Sequence, residues 1–181
     1  MATTKWVLDP THSELTFKIR HLMISNVSGS FNKFDAQVET EGEDFSTAKI
    51  EVKVDMNSIS TRNTQRDEHL KASDFFETAT YPELVFQGTK VEKIDEDEFT
   101  LHGNLTMKGI TKPLQLKVEY NGLTKDPWGG ERAGFQVTGV IKRSDWGVTF
   151  NSVLETGGVA LGEEVKLTGE IELVKQAVAV A

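Results

Sequence analysis

The sequence has 181 residues, of which 38% are hydrophobic and 27% are charged, a balance that argues against both a disordered chain and a membrane protein. Its formal net charge of −8 argues against a nucleic-acid partner, because a phosphate backbone is bound by a basic surface. Cysteine is absent, which excludes disulfide bonds, thiolate metal sites and a cysteine nucleophile.

The length predicts a single domain over residues 1–181. The strand-like pattern places its core at 6–173 and leaves a tail at 174–181. No apolar stretch approaches the roughly 18 residues that a transmembrane helix needs. Strand-like sequence begins almost at the N-terminus without an apolar signal core, so a cytoplasmic location is expected for the sequence as it stands. If an export signal has been removed from the chain, the expected location is the periplasm.

Half-buried strands are predicted along most of the chain, because apolar and polar residues alternate with a period of two. A short strand, Trp6–Leu8, comes first, and turn signals such as Asn121-Gly122 separate the segments that follow. The eight longer segments lie at about 14–20, 34–39, 49–56, 84–86, 99–107, 114–120, 135–141 and 165–173. Such strands are typical of a closed antiparallel barrel or a sandwich, and we expect an all-β, eight-stranded barrel.

One short helix is predicted between the third and fourth of these segments. Thr64 is a candidate N-cap, Asp67 and Glu68 lie in the first turn, and Leu70 and Ala72 lie inside the helix. We expect this helix to close or flank one end of the barrel.

The predicted barrel interior is rich in phenylalanine. Whether these side chains fill it or leave space for a ligand decides between an interaction protein and a protein that binds a long hydrophobic ligand. Eight-stranded barrels are wide enough either to be filled by side chains or to hold one small ligand, and composition alone favours the filled interior. If the interior is open, strand alternation predicts these pore-lining side chains: Phe17, Ile19, Phe34, Val52, Val54, Met56, Phe86, Leu105 and Phe135.

The four histidines carry little catalytic signal. No His-Glu-x-x-His motif occurs, and exposed His102 is predicted on the polar face of its strand. A metal site or a histidine-dependent enzyme built from His12, His21 and His69 stays open as an alternative. No cofactor is expected, since the sequence has neither a phosphate-cradling glycine loop nor a Gly-x-Ser-x-Gly turn.

Several short motifs occur in a fixed order between Trp6 and about Leu173, and together they resemble the YceI-like family. These motifs are WVLDPTHS at 6–13, FKIRHL at 17–22, VSGSF at 27–31, RDEHLKASDFF at 66–76, YPELVF at 81–86, LHGNLTMKGITKP at 101–113 and RSDWG at 143–147.

The resemblance implies a lipocalin-like antiparallel barrel that binds a polyisoprenoid or related amphiphilic lipid in an elongated pore. It also implies a homodimer and no established catalytic activity. We therefore expect a protein that carries or stores such a lipid.

Basic residues near the predicted helix are candidates for contact with the lipid head group at the barrel mouth: His21, Arg62, Arg66 and His69. Arg62 or Arg66 could pair with a phosphate, although capping and a structural ion pair explain the same charges. A second alternative function is a filled barrel that acts as a stress-related interaction protein through an exposed apolar patch.

Overall fold

The computed structural model describes residues 3–22, 24–149, 151 and 161–176. Their strands and helix follow in this order: β1 (Thr3–Leu8), β2 (Glu14–His21), β3 (Ser25–Phe31), β4 (Phe34–Glu41), β5 (Asp44–Asp55), β6 (Ile59–Ser60), α1 (Thr64–Lys71), β7 (Glu83–Lys93), β8 (Glu98–Met107), β9 (Ile110–Lys125), β10 (Glu131–Lys142) and β11 (Leu161–Lys175). Short 3₁₀ helices span Met56–Ser58 and Arg143–Trp146. No helix in these ranges is long and apolar enough to cross a membrane. Residues 177–181 of the predicted tail lie outside the described residues.

Eight of the strands close into an antiparallel barrel in the order β1, β4, β5, β7, β8, β9, β10, β11. The ring closes where β11 pairs back to β1, with Leu8 opposite Leu173. The eight-stranded antiparallel barrel predicted from alternation is confirmed. β11 continues to Lys175, two residues beyond the expected core boundary.

β11 has two neighbouring strands on one side, because a turn separates the N-terminal chain into β1 and β2. From Leu161 to Glu170 β11 pairs with β2, whereas its last residues pair with β1. β3 and β6 then add to the free side of β2 and extend the wall towards α1. The two ends of β11 therefore lie beside different parts of the N-terminal chain.

The strand β3 was not predicted, because its inward positions include Gly29 rather than a large apolar side chain. The ring of Phe17 covers Gly29, and a Cβ atom at this position would overlap that ring. A glycine inside a strand often marks such a close approach.

The helix α1 lies where it was predicted, but its N-cap is Asn63 and not Thr64. The Asn63 side chain accepts a hydrogen bond from the backbone N–H of Arg66 at 3.0 Å, and Thr64 is the first helical residue. Asp67 fastens the helix to the barrel by accepting hydrogen bonds from the backbone N–H (2.8 Å) and the hydroxyl (2.5 Å) of Thr61.

Two tryptophans are buried in the core. Trp6 is 1% exposed and donates its indole N–H to Thr40 Oγ1 at 3.0 Å. Trp146 is 3% exposed and donates to the carbonyl of Leu105 at 2.9 Å. Each tryptophan belongs to a separate hydrophobic cluster, and partly buried apolar side chains connect the two clusters along the barrel.

Candidate functional site

The barrel interior contains two apolar cavities that meet end to end. The cavity that we call the inner lobe has a volume of about 190 Å³, and the outer lobe has about 300 Å³. Phe31, Leu84 and Leu167 line both lobes, so these three side chains form the junction. A barrel filled by its own side chains would leave no such space.

The inner lobe is walled by apolar side chains. Six of the predicted pore residues line it: Phe34, Val52, Val54, Phe86, Leu105 and Phe135. Phe45 lines it too and was missed, because β5 changes the face that its side chains present between Phe45 and Ala48. Strict alternation from Ile50 towards the N-terminus predicts that even-numbered residues face the interior, and so it does not predict Phe45.

An aromatic cluster around Phe45 closes the far end of the inner lobe. Its ring centroid lies 4.9 Å from that of Phe135, 5.0 Å from that of Trp6 and 5.5 Å from that of Tyr120. Burial raises the pKa of the Tyr120 hydroxyl, and the nearby carboxylate of Glu43 adds to this effect. We call this part of the barrel the closed end.

The outer lobe lies between the barrel and α1. Phe17 and Ile19 line it, as the alternation of β2 predicts. Met56 was also predicted in the pore but lines neither lobe, because β5 ends at Asp55 and the chain turns into a 3₁₀ helix. Met56 is instead buried in the hydrophobic core at 2% exposure.

Polar side chains from two elements line the outer lobe where it reaches solvent. His21 ends β2, and Arg66 and His69 lie on α1. Arg66 and His69 are exposed and still line the lobe, so the lobe opens here, at what we call the mouth. Arg62 was predicted here but lies in a groove on the outer surface. It precedes the helix with a left-handed backbone (φ 64°).

The Arg66 guanidinium is held in a fixed orientation at the mouth. Its Nε donates to the hydroxyl of Thr61 and its Nη2 to the Thr61 carbonyl, each at 2.7 Å. His69 Nε2 lies 3.1 Å from Asp74 Oδ2, and the His69 ring meets Phe75 edge to face at 5.0 Å. These contacts position two basic groups beside an apolar cavity.

Arg143, part of the RSDWG motif but not predicted as a site residue, is a further cation of the outer lobe. It is 4% exposed and donates from Nε to the Gly162 carbonyl and from Nη1 to the Val148 carbonyl, both at 2.9 Å. Burial lowers the pKa of the Arg143 guanidinium, and the carboxylate of Glu163 opposes this effect. Alternation could have predicted this position, since Arg143 follows Ile141 by two residues and therefore points to the same, inward side.

The three histidines of the alternative metal site are not brought together, since His21 and His69 line the mouth and His12 does not. His12 lies in the turn before β2 and His21 ends that strand, so the length of β2, about seven residue steps or roughly 24 Å, lies between them. In the described ranges, His12 instead groups with Asp9 and Glu172, their possible ligand atoms within 4.8 Å of one another. Arg132 already serves both carboxylates, donating to Glu172 Oε2 at 2.7 Å and to Asp9.

Comparison with known proteins agrees with the architecture. The family model described as YceI-like domain matches residues 6–173. A UPF0312 protein of Staphylococcus aureus strain N315 is 44% identical over 170 residues, which cover 93% of this chain and 96% of that protein. The family predicted from the sequence motifs is confirmed.

Solved structures share the fold, among them the two that follow. The Campylobacter jejuni YCEI protein is 34% identical with a TM-score of 0.76, and the match covers 88% of this chain and 91% of that one. A polyisoprenoid binding domain from Saccharophagus degradans is 18% identical with a TM-score of 0.71, and the match covers 96% and 98%. At that identity the second likeness supports the fold alone.

Proposed function

The chain belongs to the YceI-like domain family, and from this membership we propose that it binds a long-chain isoprenoid or related amphiphilic lipid, which it carries or stores. The observation that carries the proposal is the apolar inner lobe, which continues into an outer lobe with a basic mouth. The proposed ligand class is the one named for a structure of the same fold, a polyisoprenoid binding domain from Saccharophagus degradans.

The apolar tail would occupy both lobes through the junction of Phe31, Leu84 and Leu167. Removing hydrocarbon from water contributes about 25 cal/mol for each Å² buried, offset by the cost of ordering the chain. An apolar wall also excludes a polar head group from the inner lobe, because an unpaired buried polar group costs several kcal/mol. The tail therefore enters first and the head group stays at the mouth.

The head group would meet His21, Arg66 and His69 at the mouth. Arg66 suits an anionic head group best, because its guanidinium is already oriented by Thr61 and forms strong charge-assisted hydrogen bonds with phosphate or carboxylate. Arg62 is not part of this proposal, since it faces the outer surface.

We propose binding without catalysis. Ser13 is next to His12 in sequence, but its hydroxyl donates to the carbonyl of Glu172, while the His12 ring bonds to Asp9. A serine nucleophile would need a histidine base within hydrogen-bond reach, and these two side chains are engaged elsewhere.

The test is mass spectrometry of an organic extract of the purified protein, followed by binding of added polyprenyl lipid. We expect about one bound lipid for each chain. Leu84→Trp, which blocks the junction, should abolish binding, whereas Leu123→Trp on the partly exposed surface of β9 should leave it unchanged. A clean extract from folded protein that also binds no added lipid would contradict the proposal and favour an interaction protein.

A homodimer is part of the same proposal and rests on the family resemblance. Light scattering after size exclusion should give twice the 20.1 kDa mass of one chain. A monomer at high concentration would remove the dimer from the proposal and leave lipid binding untouched.

A further inference from the structure

The turn between β2 and β3 presents two apolar side chains to solvent beside the mouth. Leu22 is 40% exposed and Ile24 is 81% exposed, and they follow His21, which lines the outer lobe. The backbone N–H of Ile24 donates to the carbonyl of His21 at 3.2 Å and closes the turn. Leu22 has a left-handed backbone (φ 51°), which non-glycine residues rarely adopt. The turn therefore holds these apolar groups in water at a conformational cost.

Two exposed cations precede this apolar turn on β2, and two more lie at α1. Lys18 and Arg20 lie on the outer face of β2, and Arg62 and Arg66 lie before and within α1. Lys18, Arg62 and Arg66 line one open groove, with Glu14 as its acidic member. Within the described part of the chain, none of these four cations has a carboxylate oxygen within 4.0 Å. We call the two apolar and four cationic side chains the mouth rim.

Two acidic turns lie at the opposite end of the barrel. The β4–β5 turn carries Glu41, Glu43 and Asp44, and the β7–β8 turn carries four consecutive acids from Asp95 to Glu98. Both turns lie at the closed end, because antiparallel pairing sets the β7–β8 turn against the far end of β9. The groove beside the mouth, with three cations and one acid, is thus a locally basic surface in a chain of net charge −8.

We propose that the mouth rim docks on an anionic lipid bilayer, with Leu22 and Ile24 in the interfacial layer and the four cations against the head groups. This inference rests on the proposed lipid-binding function. Apolar insertion and cationic attraction act together in proteins that bind membrane surfaces. The turn that would insert follows His21 of the mouth, so the outer lobe faces the bilayer and a lipid passes between them without crossing water.

The test is flotation of the full chain with phosphatidylcholine vesicles, with and without one third phosphatidylglycerol. We expect binding to the anionic vesicles that weakens as salt is added. The double variant Lys18→Glu/Arg20→Glu should lower partitioning at least about tenfold, and Leu22→Ser/Ile24→Ser should do the same. Matched controls at the closed end, Ile94→Ser (52% exposed) and Lys125→Glu, should float like the parent.

A second measurement separates this inference from the proposed function. Polyprenyl lipid added from organic solvent, without vesicles, should bind to the rim variants as tightly as to the parent. If the parent binds that lipid but does not float, or floats equally with neutral vesicles, docking is wrong and lipid binding stands. If the rim variants float like the parent, another surface contacts the bilayer. If they instead lose self-association in light scattering, a second copy of the chain covers the rim and the inference is overturned.

Discussion

Phe45 meets Phe135 edge to face at the closed end of the barrel, with ring centroids 4.9 Å apart and ring planes at 75°. Both side chains line the inner lobe, and Trp6 and Tyr120 lie behind Phe45. The pair is therefore the surface at which an inserted hydrocarbon chain would stop.

Shortening Phe45 should lengthen the chain that the barrel accepts. We expect Phe45→Ala to lower the free energy of unfolding by about 3–5 kcal/mol and to shift preference towards longer isoprenoids. Phe75→Ala, which enlarges the outer lobe, should destabilise the protein without this shift. Competition among isoprenoids of graded length gives the preference, and urea unfolding gives the stability. An unchanged preference in Phe45→Ala would show that the chain stops elsewhere.

Arg66 and Arg62 should differ in their effect on a phosphorylated lipid. Arg66→Gln should weaken its binding about tenfold or more, because a hydrogen bond to a charged group contributes about 1.5–3 kcal/mol. Binding of the corresponding alcohol should change little. Arg62→Gln is the matched control, since Arg62 lies outside the lobe. Equal losses for the phosphorylated lipid and the alcohol would assign Arg66 a structural role through Thr61.

Gly29 should be intolerant of even one methyl group. Gly29→Ala forces the ring of Phe17 away from β3, so we expect a loss of about 1–3 kcal/mol in the free energy of unfolding and weaker lipid binding. At Gly134 the nearest atom to an added Cβ is Asn121 Cβ at 3.7 Å, so Gly134→Ala should be nearly neutral. Thermal unfolding of the two variants side by side measures the contrast, and equal losses would count against it.

Asp9 should make stability fall in acid. Hydrogen bonds from His12, Thr11 and Arg132 hold the pKa of Asp9 well below its ordinary value of 3.8. A carboxyl with a lowered folded-state pKa stabilises the fold above its unfolded pKa, and this contribution is lost as the pH falls from there through the folded value. Urea unfolding across this range should show a steeper decline for the parent than for Asp9→Asn. Parallel curves would show that other carboxyls dominate.

The barrel could be predicted from the sequence, because apolar and polar residues alternate along a half-buried strand whichever strand it pairs with. The same alternation correctly predicted that Phe34, Val52 and Phe86 line the cavity. It could not predict Met56, since nothing in the alternation marks where a strand turns into a 3₁₀ helix.

Other features depended on backbone detail or on distant chain segments. Asn63 and Thr64 are both good N-cap residues, and only the backbone conformation decides between them. The two-residue strand β6 is too short to show a period. Arg143 was missed because a charged residue is usually read as exposed, whereas distant carbonyl groups make its burial possible.

The pairing of β11 with both β1 and β2 also means that the barrel can close only after the last strand has been made. β1 is made first and β11 last, yet each is the other's neighbour in the closed ring. During synthesis one edge of β1, one edge of β2 and one edge of β10 stay unpaired until β11 is made. Contacts so distant in sequence slow folding, so the final strand governs both the rate of closure and the exposure to aggregation before it.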